Sequence, residues 1–255
     1  MEEPSADLSW FERNQFLLRR LHSLSGLVPI GLYMIVHVSA NATIFFGAGT
    51  FQTLVVNRIH ELGPLLPFVE WTFIFIPLLF HAIFGFYIIA EGLPNAADYP
   101  YQSNIRYTLQ RATGIIAFAA IFFHVAQMHH MFEPLAGLGF AQFDPEHAGS
   151  SASAAIQSSV IIVILYAVGL LSCVYHLANG LWTMGITWGV WTSPSGQRRA
   201  GVVCLVFGIG LSVAGLTAIG SMATLNITEA REVEQQLLDG KSAHGHAETA
   251  ETVKE

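Results

Sequence analysis

The sequence predicts an all-α integral membrane protein with five transmembrane helices, four of them forming a bundle. Three observations predict it. Of the 255 residues, 53% are hydrophobic and only 11% charged, where a soluble domain carries about 25% charged residues. The apolar residues gather into five runs, at roughly 22–46, 68–91, 109–132, 156–183 and 201–224, each near the ~20 residues that cross ~30 Å of hydrocarbon. Lipid offers no partner to an open backbone, so each run is expected to be helical.

Residues 1–20 read as a cytoplasmic amphipathic segment. Trp10, Phe11, Phe16 and Leu17 alternate with Arg13, Arg19 and Arg20, the pattern of a helix lying at the membrane surface ahead of the first span. The membrane domain then occupies residues 21–225. Arg13, Arg19 and Arg20 precede span one, Arg106 and Arg111 flank the connection between spans two and three, and Arg198 and Arg199 flank the one before span five. The opposite connections hold only Arg58. The excess of Lys and Arg on cytoplasmic loops therefore predicts the N-terminus inside and the C-terminus outside, in the cytoplasmic membrane of a prokaryote.

The outer connection 133–154 is rich in Gly, Pro, Ala and Ser and contains Asp144-Pro145-Glu146-His147. It reads as an irregular surface segment. In the polar tail, 226–255, Thr228 to Leu238 reads as one exposed amphipathic helix ending at Gly240, and the last fifteen residues read as disordered. No chemistry is expected of that tail. The net charge of −7 comes largely from the two termini, and the few Lys and Arg form no patch, which argues against a nucleic-acid partner. Cys173 and Cys204 lie inside apolar runs and read as small core residues, not as a disulfide. No C-x-x-C-H occurs, which excludes covalent c-type haem attachment. The N-terminus does not have the form of a cleaved signal peptide.

Four histidines lie deep in four different spans: His37, His81, His124 and His176. An ionisable residue in hydrocarbon is costly and points to function. Spans one and three run outward, and His37 and His124 each lie about fifteen residues past the inner edge, roughly 22–24 Å up. Spans two and four run inward, and His81 and His176 lie about ten and about seven residues from their inner ends, roughly 10–15 Å from the cytoplasmic side. Helices of like direction are diagonal neighbours in an up-down bundle, so two depth-matched pairs face each other across the core. Two imidazoles approaching one iron from opposite faces is the arrangement a b-type haem needs. Gly85 and Gly180 sit one turn beyond the inner ligands, while Gly26, Gly31 and Gly114 clear the inner halves of spans one and three. The same small residues also serve close helix packing.

Other polar residues sort to the two membrane faces. His22, Ser23 and Ser25 stand at the inner lip of span one, level with Arg106, Gln110 and Arg111. Of these, His22, Ser23 and Arg111 are candidates to meet haem propionates, because Arg suits carboxylates; ordinary flanking charge is the alternative for the arginine. On the outer side Glu61 and Glu70 bracket the start of span two, and Met128, His129 and His130 extend past His124. A partly buried acid beside a quinone is able to pass protons during its reduction, so Glu61, Glu70, His129 and His130 are candidates for a quinone site. His124-Val-Ala-Gln-Met-His129-His130 also resembles one box of a membrane di-iron desaturase, but the supporting His60 and His147 are scattered on the outer side.

Taken in order, these phrases resemble a known family. Leu21-His22-Ser23-Leu24-Ser25-Gly26 with His37, Leu79-Phe80-His81-Ala82 with Gly85, Leu109-Gln110-Arg111-Ala112-Thr113-Gly114 leading to His124, and His176-Leu177-Ala178-Asn179-Gly180-Leu181-Trp182 leading to Thr187-Trp188-Gly189 are similar to the single-polypeptide, di-haem cytochrome b anchors of succinate:quinone oxidoreductases. The similarity covers roughly residues 15–224. It implies five helices, an inner haem held by His81 and His176, and an outer haem held by His37 and His124. It implies menaquinone as the electron partner, with an iron–sulfur subunit and an FAD flavoprotein subunit docked on the cytoplasmic face. The chain itself carries no flavin or iron–sulfur motif, so the succinate chemistry is expected to belong to those subunits; association into a higher oligomer stays open. Di-haem b anchors of hydrogenases and formate dehydrogenases share this composition, and a transporter or proton channel is the non-redox alternative.

Overall fold

The computed structural model describes residues 10–92 and 102–252, which are helical almost throughout. The first nine residues of the N-terminal segment and the last three of the tail lie outside the described residues, as does the side chain of His60. Among the described residues, five helical stretches are long and apolar enough to cross a membrane: Trp10–Phe46, Gly63–Glu91, Asn104–Met128, Val160–Thr187 and Pro194–Thr224.

The first span is built from α1 (Trp10–Leu27) and α2 (Pro29–Ala42), joined at Val28. Pro29 has no N–H to continue the ladder, and its ring crowds the preceding turn, so the helix breaks there. The backbone has no boundary at residue 20. Phe11 instead packs on Phe84 and Tyr87, with ring centroids 6.0 and 4.7 Å apart, and Arg19 pairs with Glu91. The N-terminal segment thus runs beside the C-terminal end of the second span.

Short helices α3 (Ala48–Phe51), α4 (Asn57–His60) and α5 (Leu66–Glu70) lead into the second span, which continues through a π-turn at Trp71–Phe75 into α6 (Ile76–Glu91). Pro77 cannot donate to the Phe73 carbonyl, and the wider turn accommodates that missing bond. The third, fourth and fifth spans are α7 (Gln102–Met128), α9 (Val160–Thr187) and α10 (Pro194–Thr224).

Spans one to four form a ring. α1 packs on α6 and on α9, α6 touches α7, and α7 and α9 make the most extensive contact; α10 lies outside the ring, against α9 and α2. Spans one and three, and spans two and four, therefore oppose each other across the centre. At Gly169 a Cβ would come 2.5 Å from the Cβ of Ala120, so a missing side chain is what lets α7 and α9 approach. Large apolar side chains such as Ile83, Phe122, Val160 and Val206 point outward, exposed to where lipid would lie.

The connection 133–154 differs in its second half from the expected irregular segment. Residues Ala148–Gln157 form a buried helix, α8, whose small side chains let it sit among α3, α10 and α11 (Ile227–Thr252). Ile44, Ala48, Phe51, Val56, Ala148, Ala152, Ile156, Met222 and Ala230 make one apolar cluster there. The tail helix α11 runs past Gly240 instead of stopping at it, and it is not wholly exposed. Glu234, fully buried, accepts from the Gly149 and Ser150 backbone N–H groups at 2.7 and 3.2 Å and from the Ser150 hydroxyl at 2.6 Å. It satisfies the open N–H groups of the first turn of α8, where a negative charge also meets the positive end of the helix dipole.

Candidate functional site

The site expected on the inner side is built from α6 and α9. The rings of His81 and His176 stand perpendicular with centroids 6.0 Å apart. His81 Nδ1 lies 3.0 Å from the His22 main-chain carbonyl, and His176 Nδ1 lies 3.0 Å from that of Gln110. A carbonyl only accepts, so Nδ1 carries the proton in both rings and Nε2 keeps its lone pair. The Gln110 side-chain amide, 3.2 Å from the same His176 nitrogen, donates to the His176 main-chain carbonyl at 3.1 Å, and its oxygen accepts from Asn179 at 2.8 Å. Two glycines make room for the rings: a Cβ at Gly26 would run into His81, and one at Gly114 would lie 2.9 Å from His176 Cε1.

His22 on α1 stacks on His81, centroids 4.1 Å apart and 11° from parallel, and its Nδ1 is buried without a hydrogen-bond partner. The Ser23 hydroxyl accepts from the Trp188 indole N–H at 3.1 Å. Arg111 has a different setting: its guanidinium donates to the carbonyls of Ile88 (2.9 Å) and Gly92 and lies 4.3 Å over the Tyr107 ring. It closes the C-terminal end of α6.

The site expected on the outer side is built from α2 and α7. The His37 and His124 rings lie with centroids 5.7 Å apart at 70°. Here Nδ1 of each ring faces a tyrosine hydroxyl, Tyr33 for His37 and Tyr166 for His124, both at 3.4 Å.

Beyond the C-terminal end of α7, His129 comes up to Glu70 at the end of α5, with Nε2 and Oε2 3.7 Å apart, past hydrogen-bonding reach. His129 Nδ1 accepts from the Met131 backbone N–H at 3.1 Å, so in the neutral ring Nε2 carries the hydrogen. That Nε2 is buried and has no hydrogen-bond partner. Burial and the adjacent His130 hold His129 below the ordinary histidine value, against the opposing pull of Glu70. Phe75, at the end of the π-turn, meets His129 edge-on at 5.4 Å, and His130 stacks on it at 4.2 Å. Two neighbours expected here lie elsewhere. Met128 packs into the apolar cluster under α8, and Glu61 is exposed in the turn after α4, outside the contacts that join Glu70 to His129.

The donors suit haem iron better than a bare cation. Two imidazoles face each other at each level, with the Nδ1–H groups of His81 and His176 turned toward main-chain carbonyls and Nδ1 of His37 and His124 toward tyrosine hydroxyls. Among the described residues, no three His, Cys, Asp or Glu side chains converge to hold a metal ion by themselves. The residues that hold these rings, Gln110, Asn179, Tyr166 and Gln127, were not singled out for that role from sequence. Their signal was present: a polar side chain inside an apolar span needs a partner.

The chain is 36% identical over 208 residues to the succinate dehydrogenase cytochrome b558 subunit of Bacillus subtilis (strain 168), an alignment covering 80% of this chain and 96% of that protein. No protein-family model matches the chain.

Proposed function

The chain belongs to the family of succinate dehydrogenase cytochrome b558 subunits, and from that premise we propose that it binds two b haems and links succinate oxidation to a menaquinone pool. It is a multi-pass membrane subunit of a succinate dehydrogenase complex. We assign His81 and His176 as the axial ligands of an inner haem, and His37 and His124 as those of an outer one. The supporting observation is the meeting of these rings in two pairs, at 6.0 and 5.7 Å, from opposed helices. When bound, the haems supply one-electron centres at two depths, a route from an iron–sulfur subunit on the cytoplasmic face to a quinone near the outer face.

The chain's own residues hold and tune that route. Main-chain carbonyls of His22 and Gln110 fix the inner rings, so that Nε2 is the atom offered to iron. We further assign His22 as a propionate partner, joined by Ser23 once its hydroxyl turns from the Arg20 carbonyl, to which it donates at 3.3 Å, and by Arg111 through the donors that Ile88 and Gly92 leave free. At the outer end His129 offers an unpartnered N–H, suited to a quinone carbonyl oxygen. Glu70, 3.7 Å from that nitrogen, would hold the proton that a reduced quinone needs. In the reverse direction the same arrangement serves fumarate reduction.

Purification of the intact complex from native membranes tests this reading. The expected preparation carries FAD and iron–sulfur subunits and a Soret band that titrates as two b-type components. A colourless preparation would contradict it and favour a transporter or proton channel. A nickel or molybdenum partner would point instead to a hydrogenase or formate dehydrogenase anchor.

A further inference from the structure

We propose that Tyr166 and Gln127 form a hydrogen-bonded relay that orients His124 and sets the reduction potential of the outer haem. The inference rests on the proposed ligand role of His124. α9 carries His176 toward the inner site and, ten residues earlier, Tyr166 toward the outer one. The Tyr166 hydroxyl donates to Gln127 Oε1 at 2.7 Å. Gln127, only 4% exposed, presents that oxygen because its amide N–H faces the Ala155 main-chain carbonyl at 3.4 Å. The tyrosine proton is thereby committed, and its oxygen is left to accept from His124 Nδ1, 3.4 Å away. A hydroxyl that donates onward is a better acceptor than an isolated one.

The relay acts on iron through the imidazole. An acceptor at Nδ1–H makes the ring more electron-rich and a more basic ligand, which favours the oxidised metal and lowers the potential. The inner rings take their bonds from main-chain carbonyls, which no substitution removes. The Tyr166 hydroxyl can be deleted alone. Close approach of α7 and α9 at Gly169 and Ala120, one turn from Tyr166, brings the hydroxyl within reach.

The test is a redox-titrated spectrum of the intact complex carrying Tyr166→Phe, Gln127→Leu or His124→Ala. Tyr166→Phe keeps the ring that fills the space. It should raise the outer-haem midpoint and leave the inner midpoint unchanged. Gln127→Leu should shift it the same way by less, and it stands as the readout should Tyr166→Phe fail to assemble. Unchanged midpoints in both variants, or equal shifts of both haems, would overturn the relay. If those midpoints are unchanged while His124→Ala still removes the outer haem, the relay fails and the ligand assignment survives. Retention of both haems in His124→Ala would sink the ligand assignment itself.

Discussion

Glu70 and His129 stand where a single substitution separates chemistry from structure. Glu70→Gln keeps the shape of the side chain and removes a group that takes or gives a proton, an effect worth on the order of 10²-fold for a positioned acid or base. The expected outcome is a loss of about that size in succinate-to-quinone turnover, while succinate still reduces the haems. His129→Phe should weaken quinone binding by removing the unpartnered Nε2–H. Glu61, exposed after α4, should tolerate Gln with turnover unchanged. Steady-state assays with a soluble menaquinone analogue, beside spectra of the succinate-reduced complex, check all three. Haems that no longer reduce in Glu70→Gln would place the defect upstream of the quinone.

At the scale of elements, the helices are spaced by what they lack. A side chain at Gly114 would press on the His176 ring, and helix packing leaves little slack for it. Gly114→Val should therefore displace the inner ligand and cost the complex its inner haem while the outer one persists, read by the two components of the redox titration. Loss of the outer haem alone would contradict the assignment. The outer cap makes a second prediction. Glu234→Ala strands two buried N–H groups and a hydroxyl at the start of α8, a cost of about 2–3 kcal/mol. Faster cleavage of α11 by protease, with both haems still bound at low temperature, is the expected sign; an unchanged cleavage rate would mean that α11 is held by its apolar face alone.

Over the whole molecule, the five spans were legible because hydrocarbon demands long apolar runs, and the arrangement of four spans around a centre followed from their alternating direction. What escaped was the polar detail. α8 reads as a loop because Ala148-Gly149-Ser150-Ser151 has no apolar periodicity and its Gly and Ser residues favour caps and turns over helix interiors; its stability comes from burial and from Glu234, 84 residues away from Ser150 in the chain. The tail read as exposed because a glutamate is ordinarily solvated, and only folding reveals that its partner is a helix N-terminus. Arg111 sits at the face where a propionate partner was expected, yet its donors go to the end of α6, a competition that spacing does not register. The break at Pro29 was visible as a residue but not as a boundary, because the apolar pattern continues through it.

If His81 with His176, and His37 with His124, are two separate ligand pairs, single alanine substitutions at the four positions separate them in a redox-titrated spectrum of the assembled complex. His81→Ala and His176→Ala should remove one and the same b component, and His37→Ala and His124→Ala the other. Loss of the same component in His81→Ala and His124→Ala, with its companion spared, would contradict the pairing.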